Sequence, residues 1–187
     1  KNYIFDFENF ENVIENAKKI SIENEQIDIL INNAGYISTG LFQMTKHEEF
    51  RKIFEINFFS QIFFTQVIIG RLKRSKSPSI INISSTSGLD YDMGRMAYVC
   101  SKASIIAFTK TLSKENSMFK IRVNSIAPGL IGTEMLKKNT SEKVLEDLIK
   151  KNSSKKIGST AEVADVAFFL TSEESKYING EVIRVDG

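Results

Sequence analysis

Tryptophan is absent from this chain, and cysteine and histidine occur once each, as Cys100 and His47. A single cysteine closes no intramolecular disulfide and fits a reducing compartment, so the chain reads as cytoplasmic. A single histidine removes the usual nitrogen ligands of a metal centre, and no metal is expected. No stretch of about 18 apolar residues runs free of charge, which argues against a membrane span. The first residues carry no signal-peptide pattern. Neither sign of charge is in excess: 25 Lys and Arg against 23 Asp and Glu leave a net +2. That is too little to argue for a nucleic-acid or membrane partner. Internal repeats and low-complexity linkers are missing too.

What is present is an ordinary globular composition. Hydrophobic residues make up 42% and charged residues 26% of 187, enough chain for a sizeable core and a single domain over residues 1–187. Lys1–Asp6 is apolar and strand-like with no initiator Met, and Val185-Asp186-Gly187 stops just past a strand. Both ends are expected to belong to a longer protein.

Short apolar runs alternate with longer amphipathic stretches. Tyr3–Phe5 reads as a strand end, and Phe7–Asn24 carries apolar residues at helical spacing. Ile27–Ile31 reads as a buried strand. Thr45 to Arg74 reads as two consecutive helices, with Thr45 as the cap of the first and Glu48 three residues on. Ile80–Ile83 and Ile121–Ile126 are strands, ending at Ser84-Ser85 and Pro128-Gly129. Tyr98–Asn116, Ser141–Lys151 and a segment from Ser159 to about Leu170 are helices, and Ser159 and Glu162 are spaced as a capping box. Glu181–Val185 is a last strand. This alternation predicts a doubly wound parallel sheet in three α/β/α layers, with ligands beyond the carboxyl ends of the strands.

Chemistry concentrates at Tyr98-Val99-Cys100-Ser101-Lys102. Residues four apart on a helix share a face. An ammonium near a phenol favours the phenolate and is expected to draw the tyrosine pKa below its usual value of about 10, suiting it to general acid–base work. Ser85, thirteen residues before Tyr98, follows a strand, and Asn57 lies further upstream.

Asn32-Asn33-Ala34-Gly35, Asn57, Ser85, Tyr98-x-x-x-Lys102 and Pro128-Gly129 with Thr133 occur in that order. Together they resemble the short-chain dehydrogenase/reductase family over essentially the whole chain, including its Rossmann-like fold. Arg122–Gly129 and Ile178–Gly187 are most similar to the 3-oxoacyl-acyl-carrier-protein reductase branch. The resemblance implies an oxidoreductase that interconverts a ketone and a secondary alcohol, as in fatty acid biosynthesis. It implies NADP or NAD as cofactor, with NADP ahead, and a cytoplasmic homo-oligomer, dimer or tetramer. It implies that Ser85 binds the substrate carbonyl, that Tyr98 gives the proton, that Lys102 tunes Tyr98 and holds the nicotinamide ribose, and that Asn57 holds a water behind Lys102. Asp6 would read the adenine, with a helix N-cap as its equal alternative. Asn33, Ala34 and Gly35 would lie beside the adenine ribose, as structure first and cofactor contact second. Pro128, Gly129, Ile131 and Thr133 would meet the nicotinamide carboxamide or the phosphates.

The main departure is a glycine-rich turn before Asp6, which would hold the pyrophosphate. None of the ten glycines forms such a cluster. Loss of a preceding segment is the favoured account, and an inert fragment the other. Tyr91, Met93 and Arg95 would line the substrate pocket, and the polarity of that loop leaves room for a steroid, sugar or polyol substrate. A non-catalytic nucleotide-binding protein is the reading from a different class. The helix after Asn57, with Phe58, Phe59, Phe63 and Ile62, is apolar over most of its circumference and is expected to be a subunit interface. Cys100 reads as a small packing residue.

Overall fold

The structure, a computed structural model, describes residues 1–187. Four parallel strands form one sheet: β1 (Ile29–Asn32), β2 (Ser79–Ile83), β3 (Arg122–Pro128) and β4 (Val182–Val185), in spatial order β1-β2-β3-β4. Register runs Ile29 to Ser79, Ser79 to Arg122 and Ser125 to Val182. One face is covered by α1 (Phe10–Glu23) and α3 (Ser60–Leu72), with Val13, Ala17, Phe64, Ile68 and Leu72 packed on Ile80 and Val123. α5 (Met96–Glu115) lies on the same face. The other face receives Ala167 and Leu170 of α8 (Thr160–Thr171) against Ile81 and Ile126. Alternate residues of β2 thus point to opposite layers, as the pleat dictates. The expected three-layer α/β/α arrangement is present. Strand order continues in one direction while the connecting helix changes face between β3 and β4. That last crossover therefore has the opposite hand to the two before it.

Several expected boundaries shift. Residues 1–6 form no strand, and β1 is the sheet edge, so Ile29 and Ile31 are exposed rather than buried. Asn9, not Asp6, caps α1, its Oδ1 accepting Asn12 N–H at 3.0 Å; Asp6 Oδ1 accepts Glu8 N–H one turn too early. Thr45 does not cap α2 (His47–Phe54), because its hydroxyl donates to Leu41 O at 3.1 Å. The Ser159–Glu162 capping box is present. Two short helices had no clear periodicity: α4 (Ser87–Asp90), and α6 (Glu134–Asn139), which Thr133 caps. α7 (Glu142–Lys151) matches its expected span. Cys100 is exposed rather than packed in the core.

α2 continues through a π-helical turn, Glu55–Phe59, into α3, giving one helical rod from His47 to Leu72 of 26 residues. By length and apolarity it could cross a bilayer. Its buried side chains include Asn57, Ser60, Gln61 and Thr65, each hydrogen-bonded inside the molecule, which is the pattern of a core helix.

The N-terminal ends of the strands are held by Arg122. Its guanidinium donates to Leu170 O at 2.7 Å, Ser172 O at 3.2 Å, and Ser175 O and Oγ at 3.3 and 3.0 Å. It thereby satisfies the last carbonyls of α8 with a cation, which the helix dipole also favours. Arg122→Leu leaves those carbonyls buried without donors and is expected to cost about 2–4 kcal/mol, read as a lower urea midpoint with unchanged slope.

Candidate active site

The carboxyl ends of β1, β2 and β3 are tied together by a buried polar chain. Asn32 Nδ2 donates to Asn82 Oδ1 at 2.8 Å and to Thr65 Oγ1 at 2.9 Å, and Asn82 Nδ2 donates to Thr109 Oγ1 at 2.9 Å. Asn32, rather than the exposed Asn33, makes this tie. Ser125 Oγ lies 2.9 Å from Asn82 O and 2.8 Å from Ser84 Oγ. A fully partnered buried network of this kind rigidifies the strand ends on which the site is mounted.

Three serines follow β2, and their partners tell them apart. Ser84 Oγ donates to Ile126 O at 3.0 Å, and Ser87 Oγ donates to Asp92 Oδ2 at 2.6 Å. Ser85 Oγ accepts the Ser87 N–H at 3.1 Å, which leaves its own proton free. Tyr98, buried on the first turns of α5, lies near the Ser85 hydroxyl. Burial pushes the phenol above its usual 10, while Ser85 and the Arg95 guanidinium work against that rise.

Lys102 shares the α5 face with Tyr98, its Nζ 5.8 Å from the ring centroid. The ammonium does not lower Tyr98 as the spacing suggested, because it turns to donate to Ile83 O at 2.8 Å. Burial alone brings Lys102 from 10.5 to about 8. One acceptor leaves two N–H bonds of a buried ammonium without a protein partner. The space beside them is kept open by Gly35, where a Cβ would lie 3.6 Å from Lys102 Nζ and 3.8 Å from Asn57 Oδ1. Gly88 of α4 lies against the backbone of Lys102, and a Cβ there would come within 2.9 Å of Ala103 N.

Asn57 sits in the π-helical turn, fully buried. Its Oδ1 accepts Tyr36 N–H at 2.7 Å, and its Nδ2 donates to Tyr36 O at 2.9 Å and Ser101 Oγ at 3.0 Å. Its side chain is thus spent on the loop after β1 and on α5. π-turns recur where a helix must present a side chain out of register. Beyond β3, Pro128 O accepts Thr86 N–H at 3.0 Å, and Gly129 N–H donates to Val185 O at 3.0 Å. A Cβ on Gly129 would strike Asp186 Cβ at 2.5 Å, so the turn needs glycine. Ile131 bridges to Gly158, and the Thr133 hydroxyl is engaged in capping α6. Asp6 is exposed on the segment before α1.

The loop from Tyr91 to Arg95 joins α4 to α5. Arg184 pairs bidentately with Asp90 at 2.9 and 2.6 Å and is shared with Asp186 at 2.8 Å, and Arg95 lies 3.8 Å from Asp92. Gly40 N–H donates to Gly94 O at 2.8 Å, which joins this loop to the 40–45 turn. Tyr91, in the left-handed region at φ 63, and Met93 project outward, Met93 being 90% exposed.

The structure therefore brings Asn57, Ser85, Tyr98, Lys102, Gly35 and Pro128-Gly129 to one end of the sheet, and Asp6 is exposed one residue before Phe7, whose carbonyl accepts from Ser60 Oγ at 2.8 Å. Sequence reading missed Tyr36, Gln61, Ser101, Gly88 and the Arg184–Asp90 pair. Asn57 and Gln61 are four apart on one helix, a spacing that could have flagged Gln61.

The family model described as enoyl-(acyl carrier protein) reductase matches residues 3–187. The chain belongs to the short-chain dehydrogenase/reductase family. The 3-oxoacyl-(acyl-carrier-protein) reductase FabG of Thermotoga maritima is 34% identical over 185 residues, covering 99% of this chain and 75% of that protein. The aldohexose dehydrogenase of Thermoplasma acidophilum superposes with a TM-score of 0.91 at 29% identity, over 98% of this chain and 76% of the other. A 4-hydroxyisoleucine dehydrogenase complexed with NADH gives 0.87 at 31%, over 98% and 78%. These relatives align over nearly the whole of this chain.

Burial of Lys102 makes stability depend on pH. Between about 8 and its unfolded value of 10.5 the unfolded chain holds the proton that the folded lysine has released. Unfolding free energy therefore rises with pH in that window. From pH 7 to 9.5 the gain is expected to be about 2 kcal/mol, at roughly 1.4 kcal/mol per pKa unit. Lys102→Met should abolish this increment, as read from urea melts at the two pH values.

Proposed function

We propose that this protein is an NAD(P)-dependent reductase of a 3-oxoacyl thioester, with Ser85, Tyr98 and Lys102 as its catalytic residues and Asn57 as their support. The observation that carries the proposal is the buried Lys102 ammonium with a single protein acceptor, set beside the free Ser85 proton and the Tyr98 phenol. The two unpartnered N–H bonds and the gap at Gly35 suit ribose hydroxyls. Lys102 and Tyr98 would hold that ribose, and the backbone from Pro128 to Ile131, with Thr133, would border the nicotinamide. Asn33, Ala34 and Gly35 would flank the remainder, with Asp6 as the outermost contact. A reduced nicotinamide supplies the hydride when bound.

The chain's own groups handle charge and proton. Ser85 donates to the substrate carbonyl oxygen, where negative charge grows as hydride reaches carbon. Tyr98 donates its proton to the same oxygen, and its elevated pKa keeps it protonated and ready to donate near neutral pH. Lys102, near 8, is still mostly charged at pH 7 and would hold the ribose hydroxyls, its ammonium being turned to Ile83 O rather than to the phenol. Asn57 keeps Tyr36 and Ser101 in place around this group.

The thioester substrate is supported by the FabG relatives and by the loop from Tyr91 to Arg95. Asp90 pairs with Arg184, which Asp186 shares, and Asp92 lies 3.8 Å from Arg95. Tyr91 and Met93 are thereby left to meet an apolar chain, with Arg95 at the rim. The cytoplasmic reading rests on the lone cysteine. A homo-oligomer is supported by an aromatic ladder along the helical rod. Phe50 stacks on Phe54 at 5.7 Å, and Phe54 meets Phe58 at 6.4 Å and Phe59 at 6.2 Å. Phe50, Arg51, Phe54, Glu55 and Phe59 line a groove of about 440 Å³.

Tyr98→Phe removes only the phenol oxygen. It should lower kcat for NAD(P)H-dependent reduction of an acetoacetyl thioester by about 10²–10⁴-fold while cofactor affinity stays within a few-fold. Retained turnover would remove Tyr98 as proton donor. Phe59 is 40% exposed, so Phe59→Glu should leave the fold intact and shift sedimentation toward the monomer. A wild type that sediments only as monomer contradicts the interface.

A further inference from the structure

Gln61 is a buried polar side chain that the reduction mechanism does not use. It is 1% exposed on the first turn of α3. Its Nε2 lies 2.7 Å from Ala34 O, 3.0 Å from Asn57 O and 3.1 Å from Ile56 O. A carboxamide nitrogen carries two hydrogens, so three carbonyls share two donors. Its Oε1 is buried and accepts from nothing. An unmet buried acceptor costs about 1–3 kcal/mol, a cost that leucine or methionine would avoid at this position.

The groups it holds belong to the site. Ile56 and Asn57 lie in the π-helical turn, and Ala34 precedes the glycine whose missing Cβ keeps space open beside Lys102. The loop from Asn33 to Tyr36 is joined to that turn at two points, Gln61 to Ala34 and Asn57 to Tyr36. Asn57 cannot take over the first, because its own amide is committed to Tyr36 and Ser101.

We propose that Gln61 is a positioning residue whose carboxamide clamps the loop from Asn33 to Tyr36 onto the π-helical turn and so fixes how closely that loop packs beside Lys102. The structural half of this stands on the hydrogen bonds alone; its kinetic consequence rests on the reductase reading. Lys102 reports that packing directly. Ile83 O, the Tyr98 ring, Gly35 and Asn57 surround its ammonium, and no charged group contributes to its lowered pKa. A loosened loop admits water and moves Lys102 back toward 10.5.

The test is Gln61→Met in the whole chain, with Lys102 titrated by NMR of its labelled Cε. The expected result is an upward shift from about 8; thermal stability changes little, because loss of the donor to Ala34 O opposes removal of the unmet Oε1. In a thioester assay kcat/KM should fall about 10-fold, and the corresponding limb of the pH profile should move with the titration. An unchanged Lys102 titration overturns the proposal. If Gln61→Met does not fold, Gln61→Leu removes the donors without adding a charge, and the same upward shift is required of it. Failure of both to fold makes Gln61 a folding requirement and also overturns the proposal. A shifted titration in a protein that reduces no thioester leaves the clamp standing and removes the reductase reading instead.

Discussion

Lys102 has one acceptor inside the protein, Ile83 O at 2.8 Å, and almost no access to water. Burying an ammonium so thinly solvated is unfavourable, and the group answers by releasing its proton more readily, near 8. The surrounding structure exists on terms set by that burial. Gly88 lacks a side chain where a Cβ would crowd the Lys102 backbone, and at Gly35 a Cβ would take up the place beside the ammonium. Tyr98 and Lys102 share a helix face, so whatever moves α5 moves both.

The rigidity that holds this arrangement comes from polar groups rather than from the apolar core. The Asn32–Asn82–Thr109 chain crosses from the edge strand to α5, and Ser125 with Ser84 carries it to β3. Each member has its partner, so the network is specific in a way that the apolar contacts beside it are not. At the opposite end of the sheet Arg122 performs the same service for α8. The site thus lies between a polar tie at the carboxyl ends and a cationic anchor at the amino ends.

The charged loop between α4 and α5 shows how tertiary pairing alters a residue-by-residue impression. Asp90, Asp92 and Arg95 make the segment look suited to a polar substrate. Arg184, 94 positions away, takes up Asp90, and Arg95 takes up Asp92. The segment presents Tyr91 and Met93 instead. No local pattern announces a bidentate pair between residues so far apart.

Much of the architecture was legible in the chain itself, because strand and helix periodicities are local. Ile80–Ile83 alternates between two packed layers and reads as a strand without further information, and Ser159 with Glu162 reads as a capping box. The ordered set Asn57, Ser85, Tyr98 and Lys102 was legible for the same reason: two of the four lie one helical turn apart and a third ends a strand. What the chain could not reveal were properties set by neighbours distant in sequence. Asp6 and Asn9 are both good caps, and only the path of the chain into α1 selects Asn9. Lys102 was expected to lower Tyr98, yet its ammonium turns to Ile83, since a buried donor seeks the nearest free carbonyl. Sequence by itself determined the alternation of elements and the chemistry they carry. Tertiary structure alone decided which hydroxyl keeps a free proton, which ammonium loses its water, and which carboxamide is left with an unmet oxygen. Desolvation and hydrogen-bond partnership depend on everything packed around a group, and that is known only once the chain has closed on itself.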